Sequence, residues 1–332
     1  MWLKNLIGFD ESKEAIYKNI VLKNDKLKSL VNGKEYYYGR LETPSLKELR
    51  EKVKRSNAKK GKLKLQAISA DVKNLHLNQD NENALFQVAS QFNLLEMVGA
   101  NVTPEMGIER YEYDNTQGPI CAICAGVGTI YRNYFVELDG QVGQSENKQI
   151  DCLADIGEAL GNKKNTLWEM RNGYALLKED GLYYINRKLE GMSEDEVDEL
   201  REKLRIGIMW NTQVTLNDAT HRVSQAYCSA LPISYVGFSS ELWRPFASLI
   251  LEASYEATIC AGILNGDNKV YLTLVGGGAF GNEIKWICSA IKQAVLKYIE
   301  YELDVKIVNY GVVPNEVLKL VESYNYTKES KC

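Results

Sequence analysis

Three consecutive glycines followed by Ala279, Phe280, Gly281 and Asn282 form the most chemically suggestive stretch of this chain. Without side chains, such a backbone approaches a ligand closely, and its free N–H groups attract an anion at the start of a following helix. The stretch follows an apolar run, KVYLTLV, and precedes an amphipathic one, so strand, loop and helix are expected in that order. The spacing Gly276-x-Gly278-x-x-Gly281 also fits the fingerprint that opens Rossmann domains. Position argues against that use. Only about fifty residues follow, whereas the fingerprint normally begins its domain. The Lys-Ser/Thr pair of a P-loop is absent as well. Glycines also serve tight strand-to-helix turns, but three in a row plus Phe280 exceed what a turn requires. A loop for a diphosphate-containing nucleotide is the reading these residues favour.

A second dense stretch, residues 93–117, carries Glu96, Glu105, Glu109, Glu112 and Asp114. Hydrolysis at an anomeric carbon passes through an oxocarbenium-like transition state that a nearby carboxylate stabilises. Taken singly, each acid has a solvated loop position as its ordinary role. Arg132 and Asn133 offer contacts to phosphate or ribose, with an ion pair to the acidic loop as an equal alternative. Cys121 and Cys124 have redox spacing but sit in an apolar run, ICAICAGVG, where they read as small buried hydrophobes. The two histidines, His76 and His221, stand alone, so no metal and no cofactor is expected. Cys228 has no adjacent histidine to activate it. Trp243 and Trp286 occupy apolar helix positions and read as core.

The elements that must position these residues alternate in type. Residues 62–72 and 83–92 read as strands, the second continuously apolar and hence central in a sheet. Residues 118–135 read as a buried helix, and the two runs flanking residues 178–181 as a hairpin around Asp-Gly. Strands at 205–216 and within 223–235, a long helix at 243–264, a strand at 269–275, a helix at 283–302 and a strand at 305–310 complete the pattern. A mixed or mostly parallel sheet covered on both faces follows. The first sixty residues are rich in Lys, Glu and Leu, and Ser45 with Glu48 marks a helix start there.

Composition excludes several classes. The 332 residues are 45% hydrophobic with a net charge of -4, against the basic excess of a nucleic-acid binder. The basic stretch 47–64 reads as a solvated face. No run suggests a membrane span, the opening residues make no signal-peptide core, and seven scattered cysteines fit a reducing cytosol. Oligomeric state is not legible.

The order of elements and the run KVYLTLVGGGAFGN resemble the late part of macrodomains and poly(ADP-ribose) glycohydrolases. The resemblance covers residues 62–310 and implies a three-layer α/β/α fold with a mixed central sheet. The expected organisation is a helical N-terminal extension (1–60), the macrodomain-like domain (61–315, with a hairpin-containing insertion at about 141–205) and a C-terminal helix or tail (316–332). The implied ligand is ADP-ribose or an ADP-ribosylated protein. By the same likeness, Asp71 beside Val72 would hold the adenine amino group, and Asn93 would lie near the distal ribose. Thr116, Gln117 and Gly118 would form the first ligand loop, and Gly276, Gly277, Gly278, Ala279, Phe280, Gly281 and Asn282 the second. Glu96, three residues past Asn93, and Asp114, two before Thr116, are then the candidate catalytic carboxylates. The triple-glycine plus Gln-Glu-Glu signature of the glycohydrolases and the Asn-Ala-Ala-Asn run of common macrodomains are both absent. The leading expectation is an ADP-ribose hydrolase. A non-catalytic binder of ADP-ribose or an NAD-derived signal is the alternative, and a Rossmann-type oxidoreductase a distant third.

Overall fold

The computed structural model describes residues 1–329. Seven strands build its central sheet: β1 (Arg40–Glu42), β2 (Lys64–Ser69), β3 (Leu85–Ala89), β4 (Gly207–Gln213), β5 (Arg222–Cys228), β6 (Lys269–Leu272) and β7 (Asp304–Asn309). Their spatial order is β1-β4-β5-β3-β6-β7-β2. β5, β3, β6, β7 and β2 are parallel, while β4 runs antiparallel to β5 and to β1. The sheet is therefore mixed.

The helices that position the site are α1 (Leu46–Arg55), α2 (Val72–Leu77), α3 (Gln117–Cys124), α4 (Ser240–Leu264), α5 (Ile284–Lys297) and α6 (Asn315–Glu329). Neighbouring residues of β3 show that both faces of the sheet are covered. Phe86 stacks on His76 of α2, with ring centroids 3.9 Å apart, while Gln87 donates to Thr258 of α4 at 2.8 Å. Successive strand side chains point to opposite faces, so α2 and α4 lie on opposite sides. α4 is long and apolar enough to cross a membrane, yet 83% of its apolar window is buried in the fold. It is a core helix. α1 begins with the expected capping box: Ser45 Oγ accepts from Glu48 N at 3.2 Å and Glu48 Oε2 from Ser45 N at 2.7 Å.

Three details differ from the sequence expectations. Residues 1–60 hold short helices, but also β1 and a three-stranded antiparallel sheet formed by Ile20–Lys23, Lys26–Ser29 and Glu35–Tyr37. Asn24 and Asp25, both at positive φ, close its first hairpin in the two-residue manner that favours these residue types. The hairpin of the insertion lies one element earlier than expected, pairing Trp168–Arg171 with Tyr174–Leu177 around Asn172-Gly173. Asp180 and Gly181 belong instead to the helix Glu179–Glu190, where a Cβ on Gly181 would lie 2.3 Å from the Leu167 carbonyl oxygen. The apolar stretch after Gly118 is broken at Ala125 (φ -110°, ψ 53°), so α3 is followed by a separate short helix, Gly126–Ile130. The expected C-terminal helix is α6, and residues 330–332 of that segment lie outside the described residues.

Candidate functional site

The chain leaves β3 toward β4 and β5 on one side, and leaves β6 toward β7 on the other. Adjacent parallel strands with connections diverging in this way open a crevice at their carboxyl ends, the usual ligand position in such sheets. The β3–β6 ladder covers only Leu85 and Phe86 opposite Val270 and Tyr271. Past that point the Gln117 amide takes over the role of a strand. Its Oε1 accepts from Ala89 N and its Nε2 donates to Gln87 O, both at 2.9 Å. The first turn of α3 can press this close because residue 118 is glycine. A Cβ there would lie 2.0 Å from the Ala89 carbonyl oxygen. Gly118→Ala is expected to cost about 1–3 kcal/mol, the usual range for overpacking, read as a lower midpoint in denaturant titration.

A cleft of about 910 Å³ occupies this crevice. Its wall on the β2–β7 side is Asp71, Val72, Lys73, Asn309 and Tyr310; on the α3 side it is Gln117, Ile120 and Ile123; Thr273, Gly277 and Gly278 come from β6 and the glycine loop. Tyr111, Glu112 and Asp114 reach it from the acidic stretch, and Trp2 from the N-terminal helix.

The glycine loop is held from within. Gly277 N donates to Leu274 O, Gly281 N to Gly278 O, and Asn282 N to Gly276 O. The Asn282 amide also donates to Leu231 O at 2.9 Å, fastening the loop to the segment after β5. Gly276 and Gly281 have positive φ (75° and 74°), and added Cβ atoms would lie 2.4 Å from Ala230 Cβ and 2.1 Å from Ser234 Oγ. These two glycines shape the turn. Gly278 is different: a Cβ there meets nothing within 4 Å. Among the described residues, the N–H groups of Gly278, Ala279 and Phe280 have no backbone acceptor. Free N–H groups in a loop are what an anion cradle is built from.

Asp71 caps α2 by accepting from Lys73 N at 2.8 Å, while the rest of its carboxylate faces the cleft region. Asp114 accepts from Thr116 N at 2.9 Å, stiffening the turn into α3. It also lies beside Tyr174, whose phenol is pushed up by burial first and then by Tyr235 and Asp114. Tyr174, Tyr235 and Phe280 form an aromatic cluster, with Phe280 centroids 5.3 and 5.7 Å from the other two. The cleft thus has carboxylates at Asp71 and Asp114 and two glycines, Gly277 and Gly278, of the glycine loop.

The chain is similar to poly(ADP-ribose) glycohydrolases of known structure. One is the enzyme from Deinococcus radiodurans in complex with ADP-ribose, at 12% identity and a TM-score of 0.45, covering 88% of this chain and 94% of that one. Another is the enzyme from Thermomonospora curvata bound to the inhibitor ADP-HPD, at 8% identity and a TM-score of 0.45, covering 95% of each chain. No family model and no curated relative matches the sequence.

Other expected site residues lie away from the cleft wall. Asn93 is fully buried; its side chain donates to Gln149 and accepts from Leu95 N, beneath Gly173 of the hairpin. Glu96 is also buried, and both its oxygens accept from Arg132 at 3.2 Å. Arg132 further donates to the Leu94 carbonyl and to the Tyr227 hydroxyl, so the ion-pair alternative for this arginine is the one realised. Burial pushes the Glu96 carboxyl up to about 7 despite that partner. The Asn133 amide is buried and donates to Pro104 O. Thr116 is exposed at the cap of α3, and Ala279 and Gly281 lie on the outer part of the glycine loop. Cys121 and Cys124 are buried, and desolvation raises both thiols, Cys124 to about 12.

Sequence reasoning missed several cleft residues. Lys73 and Tyr310 adjoin expected positions, and their place beyond the ends of β2 and β7 could have marked them. Asn309 Oδ1 is buried without a hydrogen-bond partner among the described residues, at the end of β7. Trp2 had no local signal. Glu11 is the hidden organiser of the acidic stretch: its carboxylate accepts from Ile108 N, Glu109 N and the Tyr134 hydroxyl at 2.6–2.9 Å.

Proposed function

We propose that this protein binds ADP-ribose, or a group carrying it, and hydrolyses its distal glycosidic bond. The observation that carries the reading is one cleft lined by two carboxylates, Asp71 and Asp114, and by Gly277 and Gly278 of a loop whose next N–H groups have no backbone acceptor. A diphosphate needs concentrated donors with room for its oxygens, which the glycine loop offers. A nucleoside and a second ribose each offer hydroxyl or amine donors that the two carboxylates can accept. The resemblance of the loop sequence to macrodomains points to the same ligand.

In the reaction, water attacks the anomeric carbon of the distal ribose as its bond to the acceptor breaks. The acceptor leaves with the bonding electron pair and takes a proton from solvent, and Asp114 afterwards returns to solvent the proton it took from the attacking water, so the step balances. Asp114 stabilises the developing positive charge on the ring and takes the proton of the attacking water. The tilted aromatic pair of Phe280 and Tyr174 flanks the ribose end.

One observation favours a second reading, a binder without turnover. Glu96 is locked to Arg132, Gly118 and Pro119 offer no carboxylate at the start of α3, and Asp114 already spends an oxygen on Thr116 N. The two readings part on one experiment. Incubated with mono- and poly(ADP-ribosyl)ated protein, the wild type releases ADP-ribose, and Asp114→Asn lowers the rate about a hundredfold with affinity retained. Binding without release by the wild type would select the second reading.

A further inference from the structure

We infer that Tyr255 is a positioning residue for the glycine loop: its buried hydroxyl fixes the point where the chain leaves β6 and so presets the loop before a ligand arrives. The inference rests on the nucleotide reading given above, which assigns that loop to phosphate. β6 keeps its ladder with β3 as far as Tyr271 and with β7 as far as Leu272. Past those residues the ladders end, yet Thr273 and Val275 are buried. Buried backbone N–H and C=O groups need partners, and here side chains supply them. Gln87 Oε1 accepts from Thr273 N at 3.2 Å. The Tyr255 hydroxyl donates to Thr273 O at 2.7 Å and accepts from Val275 N at 2.9 Å. Val275 N also makes a turn bond to Thr273 O at 3.1 Å, so the hydroxyl locks a bend that the backbone closes only weakly by itself.

The anchor stands in the core. Tyr255 is fully buried in the interior of α4, and Gln87 is braced on the same helix by its bond to Thr258. Thr273, the residue they hold together, lines the cleft with Gly277 and Gly278. Four of the seven residues from Gly276 to Asn282 are glycine, the type that loses most conformational freedom on ordering. A loop of this composition binds more tightly when that loss is met in the folded protein instead of on binding. Asn282 fastens its exit, donating to Leu231 O at 2.9 Å and to Gly276 O at 3.3 Å. Tyr255 fastens its entrance. Gln117 does the same for β3, so side chains complete the backbone on both strands where they part.

The test pairs hydrogen exchange of the ligand-free protein with calorimetry, in wild type, Tyr255→Phe and Tyr271→Phe. Tyr255→Phe removes one hydroxyl and keeps the ring in the core. Tyr271→Phe is the control, because it removes another buried hydroxyl of the same region, one that donates to Asn81 Oδ1. The amides of Val275, Gly277, Gly281 and Asn282 are hydrogen-bonded in the wild type. In Tyr255→Phe they are expected to exchange about tenfold faster, while the amides of β7 keep wild-type rates. ADP-ribose affinity falls about tenfold in the same variant, and adenosine, which has no phosphate for the loop, binds within about twofold of wild type. Wild-type loop exchange in Tyr255→Phe, an equal loss of adenosine affinity, or the same changes in Tyr271→Phe would overturn the assignment. No binding of ADP-ribose by the wild type would instead remove the nucleotide reading, and faster loop exchange would still support the anchor at Val275.

Discussion

Gly278→Glu is expected to weaken ADP-ribose binding on the order of a thousandfold while leaving the melting temperature within about 2 °C of wild type. The two halves of that expectation come from the same position. Gly278 is exposed at the cleft, its φ is not in the left-handed region, and a Cβ there meets nothing within 4 Å. A longer side chain is therefore accommodated without strain. A carboxylate about 4 Å from a phosphate costs about 4 kcal/mol at the effective dielectric of a protein surface, which is the thousandfold. Gly278→Ala, with no charge, serves as the control and changes affinity only a few-fold. Calorimetry with ADP-ribose and a thermal melt on the same samples check both halves. Unchanged affinity in Gly278→Glu would remove the glycine loop from the site.

Arg132→Ala is expected to destabilise the fold by about 3–5 kcal/mol, lowering the melting temperature by roughly 10 °C. The cost arises because Glu96 stays behind, buried and without the cationic partner it has among the described residues. The pair also gives stability a pH dependence. Burial raises the folded-state Glu96 carboxyl from its ordinary 4.5 to about 7. A carboxyl raised on folding contributes stability that is fully present below about pH 4.5 and is lost as the pH rises through about 7. The shift corresponds to about 3 kcal/mol across that window. Denaturant titrations between pH 4.5 and 8 should therefore show a decline that Glu96→Gln lacks. A flat wild-type profile would mean that the carboxylate is fully accommodated by Arg132 and Tyr111. The outcome also bears on chemistry, since a residue so enclosed holds up the floor below α3 rather than facing a ligand.

Much of the sheet was legible because its strands are short apolar runs bounded by turn residues, and β3 in particular reads as buried on both faces. The glycine loop was legible for a different reason: glycines gathered between a strand and a helix mark a special turn, and the structure gives Gly276 and Gly281 to that turn while leaving Gly278 open. What stayed hidden depends on tertiary contacts. Gln117 looks like a ligand residue in sequence, yet its amide is consumed by the backbone where β3 and β6 part. Glu96 and Asp114 are equivalent as loop acids, and only the fold buries one and brings the other to the cleft. Trp2 and Glu11 lie about a hundred residues from the acidic stretch they hold, beyond the reach of any local pattern. Asn172-Gly173 and Asp180-Gly181 are both good turn dipeptides; the pairing of Trp168–Arg171 with Tyr174–Leu177 selects the first.

The most direct measurement is the crystal structure of the wild-type protein with ADP-ribose. The expected density places the diphosphate at Gly277 and Gly278 of the glycine loop, the base toward Asp71, and the distal ribose toward Asp114. A nucleotide ordered elsewhere, or an empty cleft at saturating ADP-ribose, would contradict the assignment of this site.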